Sequence, residues 1–442
     1  MTLTSAQPTF QKNHHQQAQF LQTLDQRHDV AVIVKTGATE LFDKAILQLS
    51  TILQPIESLL LFSEVEQDLG QHHVRDVLAS MPISSMNNTD FDFYRLVQTY
   101  RLESQNIASL NAMPDARESH QTAGHNAAWA LDKYKFLPMI EQTWTLEPFH
   151  SWYVFIEADT YLCWSNLLSW LANYNPDDAI YLGKATPMHE EGPGFYFGHG
   201  GSGFIMSRAA MLAFHSADLV RRWDFRVPDL WFGDFIVAKV LADELGLFIS
   251  DASPMLSGDS VTSIPWTRVW CQKMITLHHI RPDQMQALWS FEQRRDRNST
   301  DPPPLLYKEL FDRFGAHLTW PTLKHEWDNF ANADSALLDH PVHDEFNANA
   351  NNSPGTCSEA CSSLPDCMQW SYLNFTVVQE VQERQGESVS NGICYLSSTF
   401  RIGEISKPSS WVDDQGVRNI HVRSCGWSAE RIGSWLLRET CA

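Results

Sequence analysis

The feature that most constrains the fold is a run of apolar, mostly β-branched residues at 29–34 (DVAVIV). A helix-like pattern follows at 41–53, and a second short apolar run follows at 58–62. Strand, helix and strand in this order predict a parallel α/β sheet, because parallel strands need a crossover connection. Another buried strand is predicted at 152–156, where it stops at acidic residues. Ligands in open α/β sheets bind at the carboxyl ends of the strands, so we expect the site there.

Two further segments flank this last strand. Residues 126–143 have the apolar spacing and length of a helix. The glycine-rich stretch 195–204 leads into a helix-like segment at 207–215, for which Ser207 is a suitable N-cap. The chain can therefore approach a ligand closely between these two elements.

Charge and hydrophobicity exclude two classes of protein. The formal net charge of -21 would repel a phosphate backbone, so no nucleic-acid partner is expected. A phosphate must then be bound locally, through a metal ion. No apolar run approaches the roughly 20 residues that span a bilayer, so no membrane span is expected in this chain. The hydrophobic fraction of 43% is ample for buried cores.

A chain of 442 residues predicts a large domain and a smaller one. Residues 1–26 are polar and rich in Gln and His, and we interpret them as a tail or stem remnant. The large α/β domain is predicted at 27–330. The composition of 331–352, rich in Asn, Ala, Asp and Pro, is typical of a linker, and the small domain follows at 353–442.

Cysteines are concentrated in the small domain. Two of the eight, Cys163 and Cys271, lie outside it, and the other six fall after residue 356. Their spacing lacks the paired C-x2-C ligands of most structural zinc sites, so disulfides are favoured over zinc. Disulfides predict a secretory compartment, and sequons that agree with this lie at 87–89, 298–300, 351–353 and 374–376.

An acid-x-acid pair follows the predicted strand at 152–156. Glu157 and Asp159 present oxygen ligands that suit Mg²⁺ or Mn²⁺, which can hold a diphosphate at their other positions. Such triplets are common in solvated loops, and Thr160 is also a suitable cap for a following helix. The pair alone therefore leaves both interpretations open.

Six segments in order resemble glycosyltransferase family 31, which contains the fringe proteins and the core-1 galactosyltransferases. The resemblance extends from about residue 29 to 295 and is closest to the fungal, fringe-like branch, in which Trp270-Cys271 similarly precedes the histidine segment. The segments are 34–37 (VKTG), 131–139 (LDKYKFLPM), 155–160 (FIEADT), 200–208 (GGSGFIMSR), 233–237 (GDFIV) and 276–283 (TLHHIRPD).

This resemblance implies a GT-A fold, with a Rossmann-like mixed sheet flanked by helices, and inverting transfer of a hexose from a UDP-sugar. Asp159 matches the family's main metal ligand in the acidic triplet, and His278 matches a second ligand, with His279 as the fallback. An imidazole beside a carboxylate suits Mn²⁺ better than Mg²⁺. In isolation, the two histidines would be interpreted as ordinary strand residues.

Inverting transfer needs a base that removes the proton of the acceptor hydroxyl. The resemblance assigns this role to Asp234, with Asp229 in reserve. Gly233 stands where the family often has Glu, which weakens the assignment. Without the resemblance, Asp234 would be interpreted as an acid that favours a helix N-terminus.

Other residues are expected to hold the donor. Trp231 and Trp266 are candidate platforms for a sugar ring, although tryptophans are more often core residues. His199 is a neighbour of undefined role. The predicted contacts to the nucleotide, metal-bound diphosphate or sugar are Lys35, Thr36, Asp132, Lys133, Glu157, Ala158, Asp159, Gly200, Gly201 and Gly203.

The small domain resembles a PAN or apple domain, an α+β module stapled by disulfides. The similar segments are 356–361 (TCSEAC), 366–372 (DCMQWSY) and 392–396 (GICYL). The resemblance implies the pairs Cys357–Cys394 and Cys361–Cys367, and it implies a protein- or carbohydrate-binding role. Cys425 is then expected to pair with Cys441.

The sequence predicts a Mn²⁺- or Mg²⁺-dependent UDP-hexosyltransferase of the secretory pathway lumen, in the Golgi or secreted. Its partners would be a UDP-sugar donor and a glycan or glycoprotein acceptor. Two alternatives remain open. One is a catalytically silent carbohydrate-binding homologue, suggested by Glu157 and Gly233, and the other is a metal-dependent hydrolase that uses the same acids.

Overall fold

The computed structural model describes residues 29–82, 86–112, 127–297, 303–334, 349–378, 388–412 and 417–441. The predicted tail at 1–26, the sequon at 298–300 and most of the predicted linker lie outside these residues. The chain divides into two compact units. The first takes in the described parts of 1–117, 124–258 and 274–304, and the second takes in those of 259–273 and 305–442.

The compact units interleave along the chain, whereas the predicted limits of 27–330 and 353–442 are contiguous. The stretches 259–273 and 305–330 belong to the second unit. The first of these stretches is tied to the rest of the second unit by hydrogen bonds. For example, the backbone N–H of Trp266 donates to the carbonyl oxygen of Phe400 at 3.2 Å.

Eight strands of the first unit form one mixed sheet, and four further strands form two small ribbons. The strands are β1 (Val30–Lys35), β2 (Leu59–Ser63), β3 (Gln67–Leu69), β4 (His72–Asp76), β5 (Trp152–Glu157), β6 (Tyr161–Leu162), β7 (Tyr181–Gly183), β8 (Ala185–Pro187), β9 (Tyr196–Gly198), β10 (Phe204–Ser207), β11 (Ser250–Asp251) and β12 (Thr276–Leu277). The large sheet has the order β11-β7-β10-β5-β1-β2-β4-β3, and the ribbons pair β6 with β12 and β8 with β9.

The centre of the sheet is parallel. Strand β1 lies between β2 and β5 and runs parallel to both, with Ile33 opposite Leu60 on one side and Phe155 on the other. All six residues of β1 are buried, as the apolar run predicts for a strand covered on both faces. Strand β10 then pairs antiparallel with β5, and the rings of Phe155 and Phe204 stack with centroids 4.6 Å apart.

Helices of the first unit accompany the sheet. They are a π-helix (Leu41–Ala45), α1 (Ile46–Ser50), α2 (Asp92–Leu102), α3 (Ala127–Asp132), α4 (Phe136–Leu146), α5 (Trp164–Leu171), α6 (Arg208–Ser216), α7 (Leu219–Trp223), α8 (Gly233–Leu245) and α10 (Pro282–Arg297), while α9 (Trp266–Val269) belongs to the second unit. Short 3-10 helices lie at Thr89–Phe91, Ile107–Ala112, His189–Glu191, Gly200–Ser202 and Val227–Asp229. Ser207 caps α6, as predicted, because its side chain accepts a hydrogen bond from the N–H of Ala210. The helix predicted at 126–143 is two helices, α3 and α4, with a turn at 133–135 between them.

The second unit is built on an antiparallel sheet. Its strands are β13 (Lys324–His325), β14 (Trp327–Asp328), β15 (Gln369–Val378), β16 (Ser388–Ser397), β17 (Glu404–Ile405), β18 (Ser409–Val412) and β19 (Arg418–Trp427). The sheet order is β13-β19-β15-β16, with β18 also paired to β19, and β14 pairs separately with β17. The helices are α11 (Tyr307–Phe314), α12 (Pro354–Ser363) and α13 (Ala429–Arg438), with 3-10 turns at Ala331–Asp334 and Ala350–Asn352.

Three disulfides staple the second unit. Cys357–Cys394 joins α12 to β16, and Cys361–Cys367 closes a short loop, so both implied pairs are confirmed. The expected pairing of Cys425 with Cys441 is wrong. Cys441 bonds Cys271 across a separation of 170 residues, whereas Cys425 is a buried free thiol within β19.

The predicted fold class is confirmed: the chain has a unit with a mixed α/β sheet flanked by helices and a smaller disulfide-stapled unit. In the described part of the chain, none of the helices has the length and apolar character needed to cross a membrane.

Candidate active site

A cavity of about 560 Å³ in the first unit collects most of the predicted site residues. It lies where β1 and β5 end, since Lys35 and Glu157, the last residues of these strands, are neighbours in the parallel pairing. This is the edge that the sequence predicts for ligand binding. The predicted residues that line the cavity are Lys35, Thr36, Asp132, Glu157, Ala158, Asp159, Gly201, Asp234 and His278, together with the secondary candidates His199 and His279.

Lys35 joins two acids on the cavity wall. Its Nζ lies 2.5 Å from Asp132 Oδ2 and 3.2 Å from Glu157 Oε1. Burial lowers the pKa of Lys35, but the negative charges of Asp132 and Glu157 outweigh it, and the pKa is raised above its usual range. The pKa of Glu157 is lowered although burial opposes this, because Lys35 and His278 stabilise its charge. Glu157 is therefore an ionised group already neutralised by the protein.

The turn that carries Asp159 is held by polar side chains. Thr160 Oγ1 accepts a hydrogen bond from the N–H of Glu157 at 3.2 Å and donates to the carbonyl of Gly201 at 2.9 Å. The buried side-chain amide of Gln48 donates to the carbonyls of Glu157 and Thr160 at 2.8 and 2.7 Å. Thr160 thus fixes the acidic turn and does not cap the helix that follows, which begins at Trp164.

Asp159, His278 and His279 form a group that could hold a metal ion, with one ligand atom from each lying within 4.8 Å of the others. His278 Nε2 lies 3.1 Å from Asp159 Oδ1, and His279 Nδ1 lies 3.8 Å from Asp159 Oδ2. The fold ties the two segments together, because Leu277 pairs with Tyr161 and the N–H of Ile280 donates to the carbonyl of Asp159 at 3.0 Å.

The state of His278 supports a metal site. The residue is only 5% exposed, its Nε2 faces the carboxylates of Asp159 and Glu157, and within the described residues its Nδ1 has no hydrogen-bond partner. A buried polar atom without a partner costs free energy, and metal coordination would satisfy one. Burial lowers the pKa of His278, but Asp159 and Glu157 outweigh it and raise the pKa to about 9. One carboxylate and two imidazoles make a donor set that fits Mn²⁺.

His279 differs from His278 in exposure and backbone. Its side chain is 70% exposed, and its φ of 53° lies in the left-handed region that non-glycine residues rarely adopt. The two imidazole rings are 3.8 Å apart between centroids. Both rings lie beside Asp159, and left-handed backbone conformations of this kind are concentrated at functional sites.

The glycine segment shapes the site through packing. A side chain at Gly201 would fall inside the ring of His278, and the N–H of Gly200 donates to Asp234 Oδ2 at 2.7 Å. Gly203 has a φ of 79° and packs against the carbonyl of Phe155. Gly200 and Gly203 do not themselves line the cavity. These glycines let the chain pass close to His278 and Asp234.

Asp234 stands at the first turn of α8 and faces the cavity. Its two oxygens accept hydrogen bonds from the N–H groups of Gly200 and Phe235, at 2.7 and 2.9 Å. Burial raises the pKa of Asp234, these hydrogen bonds oppose it, and the charge of Glu157 adds to it, which leaves the pKa at about 6. The reserve candidate Asp229 is exposed and does not line the cavity.

Three other predicted residues lie elsewhere. Lys133 points away from the cavity, because its Nζ donates to the carbonyls of Pro228 and Leu230 at 2.8 and 3.1 Å. Trp231 is exposed and is not part of the cavity wall. Trp266 is fully buried in the second unit, against Phe311, so its ring faces are covered.

The cavity also contains residues that the sequence did not indicate. Lys44 lies 3.1 Å from Asp159, and Lys135 lies 2.6 Å from the buried Glu64. Trp129 and Phe232 form an aromatic part of the wall, with ring centroids 6.4 Å apart. Trp129 precedes Asp132 by three residues on α3, and this one-turn spacing is a signal that could have found it.

His199 lies beside the metal candidates. Its ring is 5.6 Å from that of His278 between centroids, and the N–H of Ser202 donates to its Nδ1 at 3.1 Å. Burial and the positive charge of His278 lower the pKa of His199 to about 4. It is therefore a neutral imidazole at neutral pH.

The match to known families covers the central part of this site. Residues 95–248 match the family model described as Fringe-like. The matched segment contains Asp132, Asp159, Gly201 and Asp234, whereas Lys35 and His278 lie outside it. The match to the Fringe-like model supports the interpretation of the protein as a glycosyltransferase.

Among solved structures, the chain is similar to a glycosyltransferase involved in the glycosylation of the major capsid of PBCV-1. The similarity covers 58% of this chain and 98% of that one, with 12% sequence identity and a TM-score of 0.26. No curated protein matches the chain.

Proposed function

We propose that this chain is an inverting, metal-dependent glycosyltransferase that moves a hexose from a UDP-sugar to a hydroxyl of a glycan or glycoprotein. One observation carries the proposal: the group Asp159, His278 and His279 and the raised-pKa carboxyl of Asp234 line the same cavity. This transfer needs a metal ion to stabilise the leaving group and a carboxylate base to accept the proton, and the cavity contains candidate metal ligands and a candidate base.

Asp159 and His278 would hold the divalent cation, Mn²⁺ by preference, with His279 as a third ligand. When bound, the cation supplies positive charge that stabilises the diphosphate of the leaving UDP. Lys35 contacts one carboxylate oxygen of Glu157, Oε1, whereas His278 lies nearer the other, Oε2. Lys35 and its partner Asp132 would contact the nucleotide, together with Thr36.

Asp234 would act as the base. The acceptor oxygen attacks the anomeric carbon while the bond from that carbon to the UDP oxygen breaks, and the hydroxyl proton passes to Asp234. A carboxyl with a pKa of about 6 is mostly ionised at neutral pH and is still basic enough to receive this proton. The result is inversion at the anomeric carbon, because one displacement occurs.

Packing explains why Gly233 stands where glycosyltransferase family 31 often has Glu. A side chain at this position would fall inside the ring of Phe136, which also forms part of the cavity wall. The glycine therefore suits the neighbouring aromatic residue and does not remove the proposed base, Asp234. This observation favours an active enzyme over the catalytically silent homologue.

The second unit and the location of the protein belong to the same proposal. Three disulfides agree with an oxidising compartment, so we place the protein in the secretory pathway lumen, in the Golgi or secreted. The PAN or apple-like unit would help to capture the acceptor. The fungal branch of glycosyltransferase family 31 is the proposed affiliation.

A thermal-shift panel tests the proposal. UDP-Gal, UDP-Glc, UDP-GlcNAc and UDP-GalNAc would each be added with and without Mn²⁺. We expect at least one to raise the melting temperature only when Mn²⁺ is present, because the cation joins the diphosphate to Asp159. If no UDP-sugar stabilises the protein, the proposal fails. If one binds but no hexose is transferred or hydrolysed, the silent homologue replaces it.

A further inference from the structure

Lys44 forms an ion pair with one carboxylate oxygen of Asp159, the proposed metal ligand. Its Nζ lies 3.1 Å from Asp159 Oδ2 and 2.7 Å from Glu40 Oε1. The other oxygen of the same carboxylate, Oδ1, faces His278 Nε2 at 3.1 Å. Both oxygens of Asp159 are thus engaged by cationic or ionisable groups of the protein itself.

The position of Lys44 is set by local structure. It lies in the π-helix Leu41–Ala45, which follows the turn after β1, and it faces the cavity. Short π-helical turns are rare and occur frequently at functional sites. The side chain is about one-third exposed, with 32% of its surface accessible, so the ammonium can move without disturbing the core.

A divalent cation and the Lys44 ammonium compete for one carboxylate. Two positive groups on the same oxygen repel each other, so coordination by Asp159 Oδ2 displaces Lys44. Once displaced, Lys44 still lines the cavity, and a diphosphate bound there offers it a new anionic partner.

On the basis of the proposed function, we propose that Lys44 is a donor-binding residue with two alternative partners. In the metal-free protein it neutralises Asp159, and in the donor complex it binds the diphosphate. Lys44 therefore weakens the binding of the cation alone and strengthens the binding of the nucleotide with the cation. Because of these two opposite effects, the site binds the nucleotide together with the cation in preference to the cation alone.

A charge-removing variant gives effects of opposite sign. In Lys44→Met, we expect the affinity for Mn²⁺ alone to rise roughly two- to fivefold, because a competing ion pair is lost. The affinity for UDP in the presence of saturating Mn²⁺ should fall by about tenfold, because a charged hydrogen bond is lost. Electron paramagnetic resonance of free Mn²⁺ measures the first quantity, and calorimetric titration with UDP measures the second.

Lys239 provides a matched control. Like Lys44, it lies between two acids, 2.8 Å from Glu191 and 3.1 Å from Asp243, but it is not part of the cavity wall. Lys239→Met should leave both affinities unchanged. If Lys44→Met changes the two affinities in the same direction, or changes neither, the inference is overturned.

Amine labelling of the wild-type protein tests the same point without a variant. Acetylation of Lys44, followed by mass spectrometry, should increase when Mn²⁺ is added and decrease when UDP is added with Mn²⁺. Labelling of Lys239 serves as the internal reference. Labelling of Lys44 that does not respond to Mn²⁺ contradicts the inference.

The outcome separates this inference from the proposed function. If the wild-type protein binds neither Mn²⁺ nor UDP, the proposed function fails. If it binds both and Lys44 has no effect, only the role of Lys44 fails.

Discussion

At the scale of single residues, the site depends on opposing effects at Asp234. Burial favours the protonated carboxyl, whereas the N–H groups of Gly200 and Phe235 favour the ionised one. The pKa of about 6 is a balance between these effects. A general base needs a pKa close to the working pH, so this balance suits the role that we propose for Asp234.

The first prediction concerns the pH dependence of transfer. Because the base must be ionised, kcat/KM should fall as the pH drops below about 6, the value at which Asp234 becomes protonated. Asp234→Asn should lower kcat by roughly 100- to 10,000-fold. The binding of UDP with Mn²⁺ should persist in this variant.

Asp229→Asn is the control, since Asp229 is exposed and lies outside the cavity wall. It should keep the wild-type pH profile. A profile that stays flat from about pH 5 to 7 would remove Asp234 from the role of base.

The second prediction concerns Gly201. In Gly201→Ala, the added methyl group overlaps the ring of His278, so the ring or the glycine segment must shift, which disturbs the position of the ring beside Asp159. We expect a loss of stability of about 1–3 kcal/mol, together with weaker Mn²⁺ binding. Denaturant unfolding and a Mn²⁺ titration measure the two effects.

Gly433 is a suitable comparison, because a side chain there meets no atom within 4 Å. Gly433→Ala in the middle of α13 should stabilise the protein or leave it unchanged. Wild-type Mn²⁺ affinity in Gly201→Ala would show that the packing against His278 is not needed.

At the scale of elements, the strand ends could be predicted from the sequence. The apolar runs at 29–34 and 152–156 are found as β1 and β5, and their last residues, Lys35 and Glu157, are neighbours. Adjacent parallel strands end at the same edge, so the position of the acidic turn follows from the pattern of apolar residues.

The contacts between elements could not be predicted in this way. The reason for a glycine at 201 lies in the ring of His278, 77 positions later in the chain. Lys44 meets Asp159 because the π-helix beside β1 faces the turn after β5. Lys135 lines the cavity, whereas Lys133, two positions earlier in the same turn, points away from it and donates to the carbonyl of Pro228. Such facts depend on three-dimensional packing, which a single sequence pattern does not contain.

The third prediction concerns the disulfide that the sequence did not indicate. Cys271 and Cys441 close a long loop, and the chain-entropy model gives such a crosslink about 4 kcal/mol or more. Cys271→Ser with Cys441→Ser should lower the thermal stability of the second unit. Non-reducing peptide mapping should recover a peptide pair that contains both cysteines.

Cys425→Ala is the comparison, because Cys425 has no disulfide partner in the structure. It should leave the three crosslinks in place. Recovery of a Cys425–Cys441 peptide would contradict the structure and restore the pairing expected from the sequence.

At the scale of the whole molecule, the proposed function requires a strongly acidic protein to bind an acidic donor. The chain has 53 acidic residues against 32 Lys and Arg, so its average field repels a diphosphate. The cavity wall brings Lys35, Lys44 and Lys135 together, but it also carries the acids Glu40, Asp132, Glu157, Asp159 and Asp234. The lysines therefore do not outweigh the acids, and a divalent cation on Asp159 and His278 would supply the positive charge that a diphosphate needs.

The most direct test of the proposed function is the release of UDP from UDP-sugars. With Mn²⁺, the wild-type protein should release UDP from at least one of the four donors, and removal of the metal with EDTA should abolish the release. Asp159→Ala should behave like the metal-depleted protein, because it removes the carboxylate shared by the metal group. Metal-independent release, or full activity in Asp159→Ala, would contradict the central claim that Asp159 holds the metal on the donor diphosphate.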